Sequence, residues 1–407
     1  MFQKNIGKLN IIFVVFIIVF TTKFFNYSNW NPTLAGWCSY FVYGYIALVV
    51  YNNRDIVLRI KSPVSKWIKY YIGLHLLCLI PMFVIYGQSP IEERQMIFSL
   101  LIFLFFYYYY LNRISEITII QIFTGAGLFI FVVQVFQQVF PANAVFGVYD
   151  LDSNSSSKVL AEVRNGLYRY RLDGVFFVLF CLYYYWSKLL NRVTIRNVLM
   201  FLIFFASMYL FLTRQLMFAT MLTLALSSFL VTNKRRRNII LMITVLFIGI
   251  VFVYSDVLFG DLIDMTQEQM SGKDIRIMAL SAYWKKIISN PLTFFLGNGH
   301  PPEFHYFQEE LRLFTSDVGF VGEMYHYGVL WVLFYFYTLY YIIVKCRKAI
   351  PLYIRLFVFG TAINSIMIFP CRYPYEFFMW ISVLYISSLH ICGHKALYEK
   401  RHFGEIL

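Results

Sequence analysis

Charge is what this chain has least of. Aspartate, glutamate, lysine and arginine together supply 14% of its 407 residues, well below the quarter or so typical of a soluble domain. An ordinary soluble fold is therefore excluded. The scarcity also governs how the formal net charge of +14 is read. No basic face interleaved with aromatics exists outside the apolar runs, so the sequence reads as binding no nucleic acid.

Paired cysteines are missing too. Cys38, Cys78, Cys181, Cys346, Cys371 and Cys392 fall mostly within or beside apolar runs, a distribution that suggests neither a disulfide framework nor a zinc site. Short alternating segments are absent, which argues against a β-barrel. No small-residue cleavage site follows the first apolar run, which ends in Thr21-Thr22-Lys23-Phe24-Phe25. With Lys4 and Lys8 ahead of it, that run reads as an uncleaved first span. The halves show no internal repeat, which weakens a transporter built from two similar units.

What is present is apolar length: 60% of residues are hydrophobic and 21% aromatic. The fold class expected is all-α, a single polytopic helical membrane domain over 1–407. About twelve spans follow at the usual ~20 residues each. They lie near 9–25, 34–51, 68–87, 96–111, 117–140, 174–190, 197–212, 215–232, 239–258, 319–344, 352–370 and 375–392.

Loop charges orient them. Arg54, Arg59, Lys61, Lys66 and Lys69 follow the second span, and Lys188, Arg192 and Arg196 the sixth. Lys234-Arg235-Arg236-Arg237 follow the eighth, Lys345, Arg347 and Lys348 the tenth, and Lys395, Lys400 and Arg401 lie in the tail. All are even-numbered exits, so both termini are expected in the cytoplasm. The carboxylates gather on the other side, in a loop over 141–173 and a longer one over 259–318. Tyr107 to Tyr110 and Tyr183 to Trp186 read as interfacial aromatic belts.

Five polar clusters are candidates for chemistry. Arg164, Arg169 and Arg171 alternate with tyrosines just ahead of a span; they reach lipid headgroups, or clamp a phosphorylated or polyhydroxylated ligand, since guanidinium forks match phosphate oxygens. Arg214 stands at a tight turn between two apolar runs, where it either snorkels or holds an anionic headgroup. Arg276 opens a segment in which Ile275, Met278, Ala279, Ala282 and Ile287 share one side at helical spacing. That segment is too short and polar to span, so it reads as an amphipathic helix on the membrane, ended by Asn290-Pro291. Gly297-Asn298-Gly299-His300 forms a tight turn that follows no strand and opens no helix, so it is no dinucleotide fingerprint. His300 and His305 are in a loop, where histidines seldom bind metal, and no metal site is expected. Last come Asp317 at the water edge and Glu323 and His326 deeper in the next span. A carboxylate there serves as a general base or orients a sugar hydroxyl, unless Ser316 or Asp317 merely caps the helix.

In this order the clusters resemble the Wzy-type O-antigen and capsular polysaccharide polymerases, a family related to the O-antigen ligases. The matching elements begin with Arg171-Leu172-Asp173-Gly174 in the earlier outer loop, Thr213-Arg214 at the outer turn, and Arg276 opening the amphipathic helix. They continue with Asn290-Pro291, Leu296 to Gly299, Ser316 to Gly319, and Gly328 in the next span. The resemblance implies a metal-independent membrane glycosyltransferase without cofactors. It would act on oligosaccharide repeat units carried on a polyprenyl diphosphate, at the outer face of a bacterial cytoplasmic membrane. A chain-length regulator is an implied partner. Arg171, Arg214 and Arg276 would neutralise the diphosphate, with Asp317, then Glu323 and His326, as candidates for the base. Arg164, Arg169, Gly297, Gly299 and His300 complete the expected substrate contacts. The loop 141–173 would form the donor side, and 259–318 the lid and acceptor side. Ligases of this kind commonly carry His-Asn where Ser316-Asp317-Val318 stands, which favours a polymerase. A ligase, and less so a flippase, are the alternatives.

Overall fold

The computed structural model describes residues 32–60, 62–89, 94–144, 146, 163–164, 166–170, 172, 174–231, 234, 237–238, 241–242, 275–366, 369 and 374–392. Its elements in chain order begin with helices α1 (Pro32–Asn52), α2 (Arg54–Arg59), α3 (Pro63–Leu77), α4 (Leu79–Tyr86), α5 (Arg94–Leu111) and α6 (Glu116–Val139). A two-stranded hairpin, β1 (Val163–Arg164) and β2 (Leu167–Tyr168), is followed by α7 (Val175–Asn191), α8 (Ile195–Leu210) and α9 (Arg214–Leu230). Next are α10 (Ile275–Ile288), α11 (Pro291–Leu296), α12 (Pro302–Glu309), a 3₁₀ turn (Thr315–Val318) and α13 (Gly319–Tyr340), which runs into a π turn (Tyr341–Lys345). Helices α14 (Leu352–Asn364) and α15 (Pro374–Ile391) complete the described elements.

Every expected span falls on a helix except 9–25 and 239–258, which lie outside the described residues apart from Leu241 and Met242. Among the described residues, three segments are long and apolar enough to cross a membrane: Pro63–Tyr86, Glu116–Val139 and Thr315–Lys345. The other apolar helices are shorter, and α14 stops at Asn364, ahead of the expected 370. On α6 the physical cause of the membrane assignment is visible. Phe123, Gly127, Ile130, Val133, Gln134 and Gln137 turn inward, while Phe129, Val132, Phe136 and Val139 are exposed. A helix apolar on its outward face suits lipid, not water.

The chain divides into two compact units. The first holds Met1–Gly44, Ile114–Ser271 and Leu352–Phe357. Its core is α6, α7 and α8. Gly127 admits the Phe204 ring, so close that a Cβ there would stand 2.8 Å from it. Several buried polar groups are paired. Ser207 Oγ donates to Gln134 Oε1 at 2.6 Å while Gln134 Nε2 donates to the Ser207 carbonyl at 3.2 Å. Tyr353 donates to Glu116 at 2.6 Å, and Arg355 donates to the Leu230 carbonyl at 2.9 Å, where the dipole of α9 favours a cation.

The second unit holds Tyr45–Arg113, Gly272–Pro351 and Val358–Leu407. Its core is aromatic: Trp331 packs among Tyr71, His75, Tyr327, Tyr335, Phe369 and Phe377. The Trp331 indole donates to His75 Nδ1 at 2.9 Å, and the Tyr71 and Thr338 hydroxyls pair at 2.9 Å. Pro81 has no N–H to give the preceding turn, and the helix breaks between α3 and α4 at Cys78.

Candidate functional site

In the second unit the site grows from one broken helix. Within α13, Gly328 has φ 79° and ψ 170°, so the helix stops and restarts there. A break at that point strands the carbonyls of the last turn before it, and a buried carbonyl without a donor costs about 1–3 kcal/mol. Two of them are satisfied by one loop elsewhere in the unit: Asn298 N–H donates to the Tyr325 carbonyl at 2.6 Å and Gly299 N–H to that of His326 at 3.1 Å. The Cys78 thiol, with one proton, lies 3.2 Å from the Tyr327 carbonyl and 3.1 Å from that of Leu74.

The loop supplying two of those donors is Gly297-Asn298-Gly299. It can lie against the break because its glycines carry no Cβ: one built on Gly297 would run into the His326 carbonyl, one on Gly299 into the Met82 side chain. Both glycines also have positive φ, 88° and 64°. The Asn298 side chain is fixed at both ends, accepting from Tyr86 at 2.6 Å and donating to the Tyr325 carbonyl at 3.4 Å. Gln88 Nε2 donates to the His300 carbonyl at 3.1 Å. The amides of Gly297, Asn298 and Gly299 are thus all spent within the protein, the first on the Thr293 carbonyl. What the turn presents outward is His300, which stacks on His326 with ring centroids 4.5 Å apart.

The ring of His326 is oriented by two partners. Its Nδ1 lies 2.7 Å from the Gly299 carbonyl, which only accepts, so Nδ1 carries the proton. Nε2 then accepts from the Thr315 hydroxyl at 3.2 Å. Thr315 opens the 3₁₀ turn that carries Asp317, so His326 ties that turn to the glycine loop. Asp317 is half-exposed, and Ser316 Oγ donates to its Oδ1 at 3.4 Å. Neither side chain caps α13, and the capping explanation for them falls away. Glu323 is buried, 2% exposed, one helical turn before His326.

Arg276 sits half-exposed in the first turn of α10, which packs on α11, α13 and the 3₁₀ turn. Ala279, Tyr283 and Ile287 form its buried face. Tyr283 donates to the Leu313 carbonyl at 2.8 Å and meets the Tyr325 ring at 4.9 Å. Ile275 and Met278, read on one side with Ala279 and Ile287, are 53% and 52% exposed, while Ala279 and Ile287 are buried with Tyr283. Asn290-Pro291 does more than end α10: Asn290 Oδ1 accepts from the Leu292 amide at 2.8 Å and starts α11. The polar stretch after Pro301-Pro302 is helix α12.

The first unit carries the remaining arginines. The strands pair antiparallel, with Val163 opposite Tyr168 and Arg164 opposite Leu167, and Gly166 in the connection has φ 73°. Arg169 follows the hairpin and is half-buried. Two glutamines at the end of α6 hold this segment, and their adjacency was the signal left unused. Gln137 exchanges hydrogen bonds with both backbone groups of Phe146, at 2.9 and 2.8 Å. Gln138 does the same with Tyr168, accepting its N–H at 3.0 Å and donating to its carbonyl. Tyr170 adds a bond from its hydroxyl to the Gln137 carbonyl at 2.7 Å. Arg214 is the first residue of α9, after a Leu212 held at φ 48°. Arg171, like the 259–274 part of the long loop, lies outside the described residues.

The structure therefore assembles Arg276, Gly297, Gly299, His300, Asp317, Glu323 and His326 in one unit, with Arg164, Arg169 and Arg214 in the other. Among the described residues no group of three or more metal-ligating side chains forms. These features define the class: an all-α membrane protein whose polar groups collect around a broken helix. Beyond the class, no family model matches the chain and no curated protein matches it.

Proposed function

We propose that this protein polymerises polyprenyl-diphosphate-linked oligosaccharide repeat units, transferring the growing glycan to the non-reducing end of a new lipid-linked unit. The observation that carries this reading is convergence. The segments Gly297–Gly299, Thr315–Val318 and Gly328 meet around a helix break, and α10, which opens with Arg276, packs on the same α13. Their order is the one on which the family resemblance rests.

In the proposed reaction the acceptor hydroxyl attacks the anomeric carbon and the bond to the diphosphate oxygen breaks. Asp317 takes the hydroxyl proton, its half-exposed carboxylate being held by a turn that His326 anchors. Arg276 takes up the charge that develops on the leaving diphosphate, and the family resemblance gives Arg171 and Arg214 the same task, with Arg164 and Arg169 as further substrate contacts. Glu323, His300 and His326 line the acceptor side, and Gly297 and Gly299 shape it. The finer topology belongs to the same proposal: about twelve crossings, both termini in the cytoplasm, and the site on the outer face of a bacterial cytoplasmic membrane. A chain-length regulator is the proposed partner.

Reconstitution of the full chain in vesicles with a defined lipid-linked repeat unit tests this. A ladder of lipid-linked products is expected. Transfer only to a non-polyprenyl final acceptor would make the protein a ligase, and movement across the bilayer without elongation would make it a flippase.

A further inference from the structure

Helices α7 and α8 are joined by a turn built from cations. Lys188 near the end of α7, Arg192 just past it and Arg196 in the first turn of α8 line a cavity of about 480 Å³, together with Tyr184, Thr194 and Asn197. The Lys188 ammonium lies 5.2 Å from the Tyr184 ring centroid, a cation–π contact that orients it. The Thr194 hydroxyl takes the Asn197 amide at 3.3 Å, and Asn197 Nδ2 binds the Arg192 carbonyl at 3.1 Å. The turn is therefore held in one shape. By helix geometry the amides of Ile195 and Arg196 have no acceptor within α8, so the positive end of that helix faces the same place.

Among the described residues nothing neutralises these charges. No carboxylate lines the cavity, and the chain has no aspartate or glutamate between Asp173 and Asp256. Among the described residues none of the three cations has an acidic partner. The surroundings are apolar instead: Val193 is 77% exposed and Ile195 76%, with Leu199 and Leu202 also exposed. Aliphatic side chains beside arginines at the ends of membrane helices sit where acyl chains meet headgroups. Setting helix orientation would need only the charges; it would not need them gathered around a cavity.

We infer that Lys188, Arg192 and Arg196 form a binding site for a phosphate group, carried by the headgroup of an anionic membrane lipid. The two guanidinium forks match phosphate oxygens in pairs, and the lysine adds a point charge. This site belongs to the first unit and is independent of the proposed polymerase activity.

The test uses the full chain, purified in neutral detergent and stripped of lipid, with binding followed by native mass spectrometry. Phosphatidic acid and phosphatidylcholine are the lipid probes; inorganic phosphate and glycerol 3-phosphate are the lipid-free arm. Phosphatidic acid should bind in preference to phosphatidylcholine. The variant with Lys188, Arg192 and Arg196 all changed to Gln should bind it about a hundredfold more weakly, given the usual worth of three near-surface cations. Changing Lys345, Arg347 and Lys348 to Gln removes the same net charge elsewhere and should leave binding within about threefold. Equal loss in both variants, or none in the first, would overturn the site. Inorganic phosphate or glycerol 3-phosphate binding as tightly as phosphatidic acid would overturn the lipid source. Should the triple variant fail to fold, the pair R192K and R196K keeps the charge but loses the forks. That pair should weaken binding by about tenfold, and unchanged affinity would count against the proposal.

Discussion

Gly297 and Gly328 meet backbone to backbone. A Cβ on Gly297 would stand 2.7 Å from the Gly328 nitrogen, and a Cβ on Gly328 2.6 Å from the Gly297 nitrogen. Each glycine makes room for the other, and both have positive φ. The contact is what lets a loop reach into a broken helix and donate to its carbonyls.

From this contact follows the most severe stability effect. Gly297→Ala or Gly328→Ala adds both a clash with backbone and a strained φ, at a combined cost of about 2–5 kcal/mol. Gly73→Ala, in a helix where a Cβ meets nothing within 4 Å, should be neutral or slightly stabilising. Thermal unfolding in detergent compares the three. Equal melting temperatures would refute the account of the break.

Asn298→Ala removes the acceptor for Tyr86 and a donor to Tyr325 while leaving the backbone in place. We predict a loss of about 1–3 kcal/mol, larger than the ~1 kcal/mol for Asn290→Ala, which loses only a helix cap. Denaturant unfolding that ranks them the other way would contradict the geometry of the loop.

Asp317 and His326 should separate activity from stability. Asp317→Asn should abolish the product ladder while leaving melting unchanged, because among the described residues its carboxylate makes only a long contact with its neighbour. His326→Ala should lower both, since it unties the Thr315 turn from the Gly299 carbonyl. A full ladder from Asp317→Asn would remove that residue as the base.

The proposed leaving-group role rests on the arginines. Arg214→Ala and Arg276→Ala should each reduce polymerisation by at least about a hundredfold, a typical cost for losing one stabiliser of developing charge. Membrane insertion should persist. Normal chain lengths in both variants would end that assignment.

Gln138→Leu keeps the volume of the side chain but loses both bonds to Tyr168. Amide hydrogen exchange over 163–170 should quicken by about tenfold or more, in line with two lost hydrogen bonds. Exchange in α7 should not change. Unaltered protection of the hairpin would show that it stands without its latch.

The helices were legible in the sequence because apolar length and helical spacing are local properties. The run over 117–140 became α6, and the run over 174–190 became α7. The turn at Gly297–Gly299 was legible for the same reason, as was a helix beginning near Arg276. Local chemistry also contained a signal that went unread: Asn290-Pro291 as a helix start. Only the tertiary structure decided that α13 breaks at Gly328. A glycine in an apolar run is compatible with an unbroken helix, and the break is stabilised by the donors that Asn298 and Gly299 bring from elsewhere in the chain. The same holds for Thr315 and His326. Spacing placed His326 near the site but not Thr315, and which nitrogen carries the proton follows from a carbonyl that only the folded chain puts beside it.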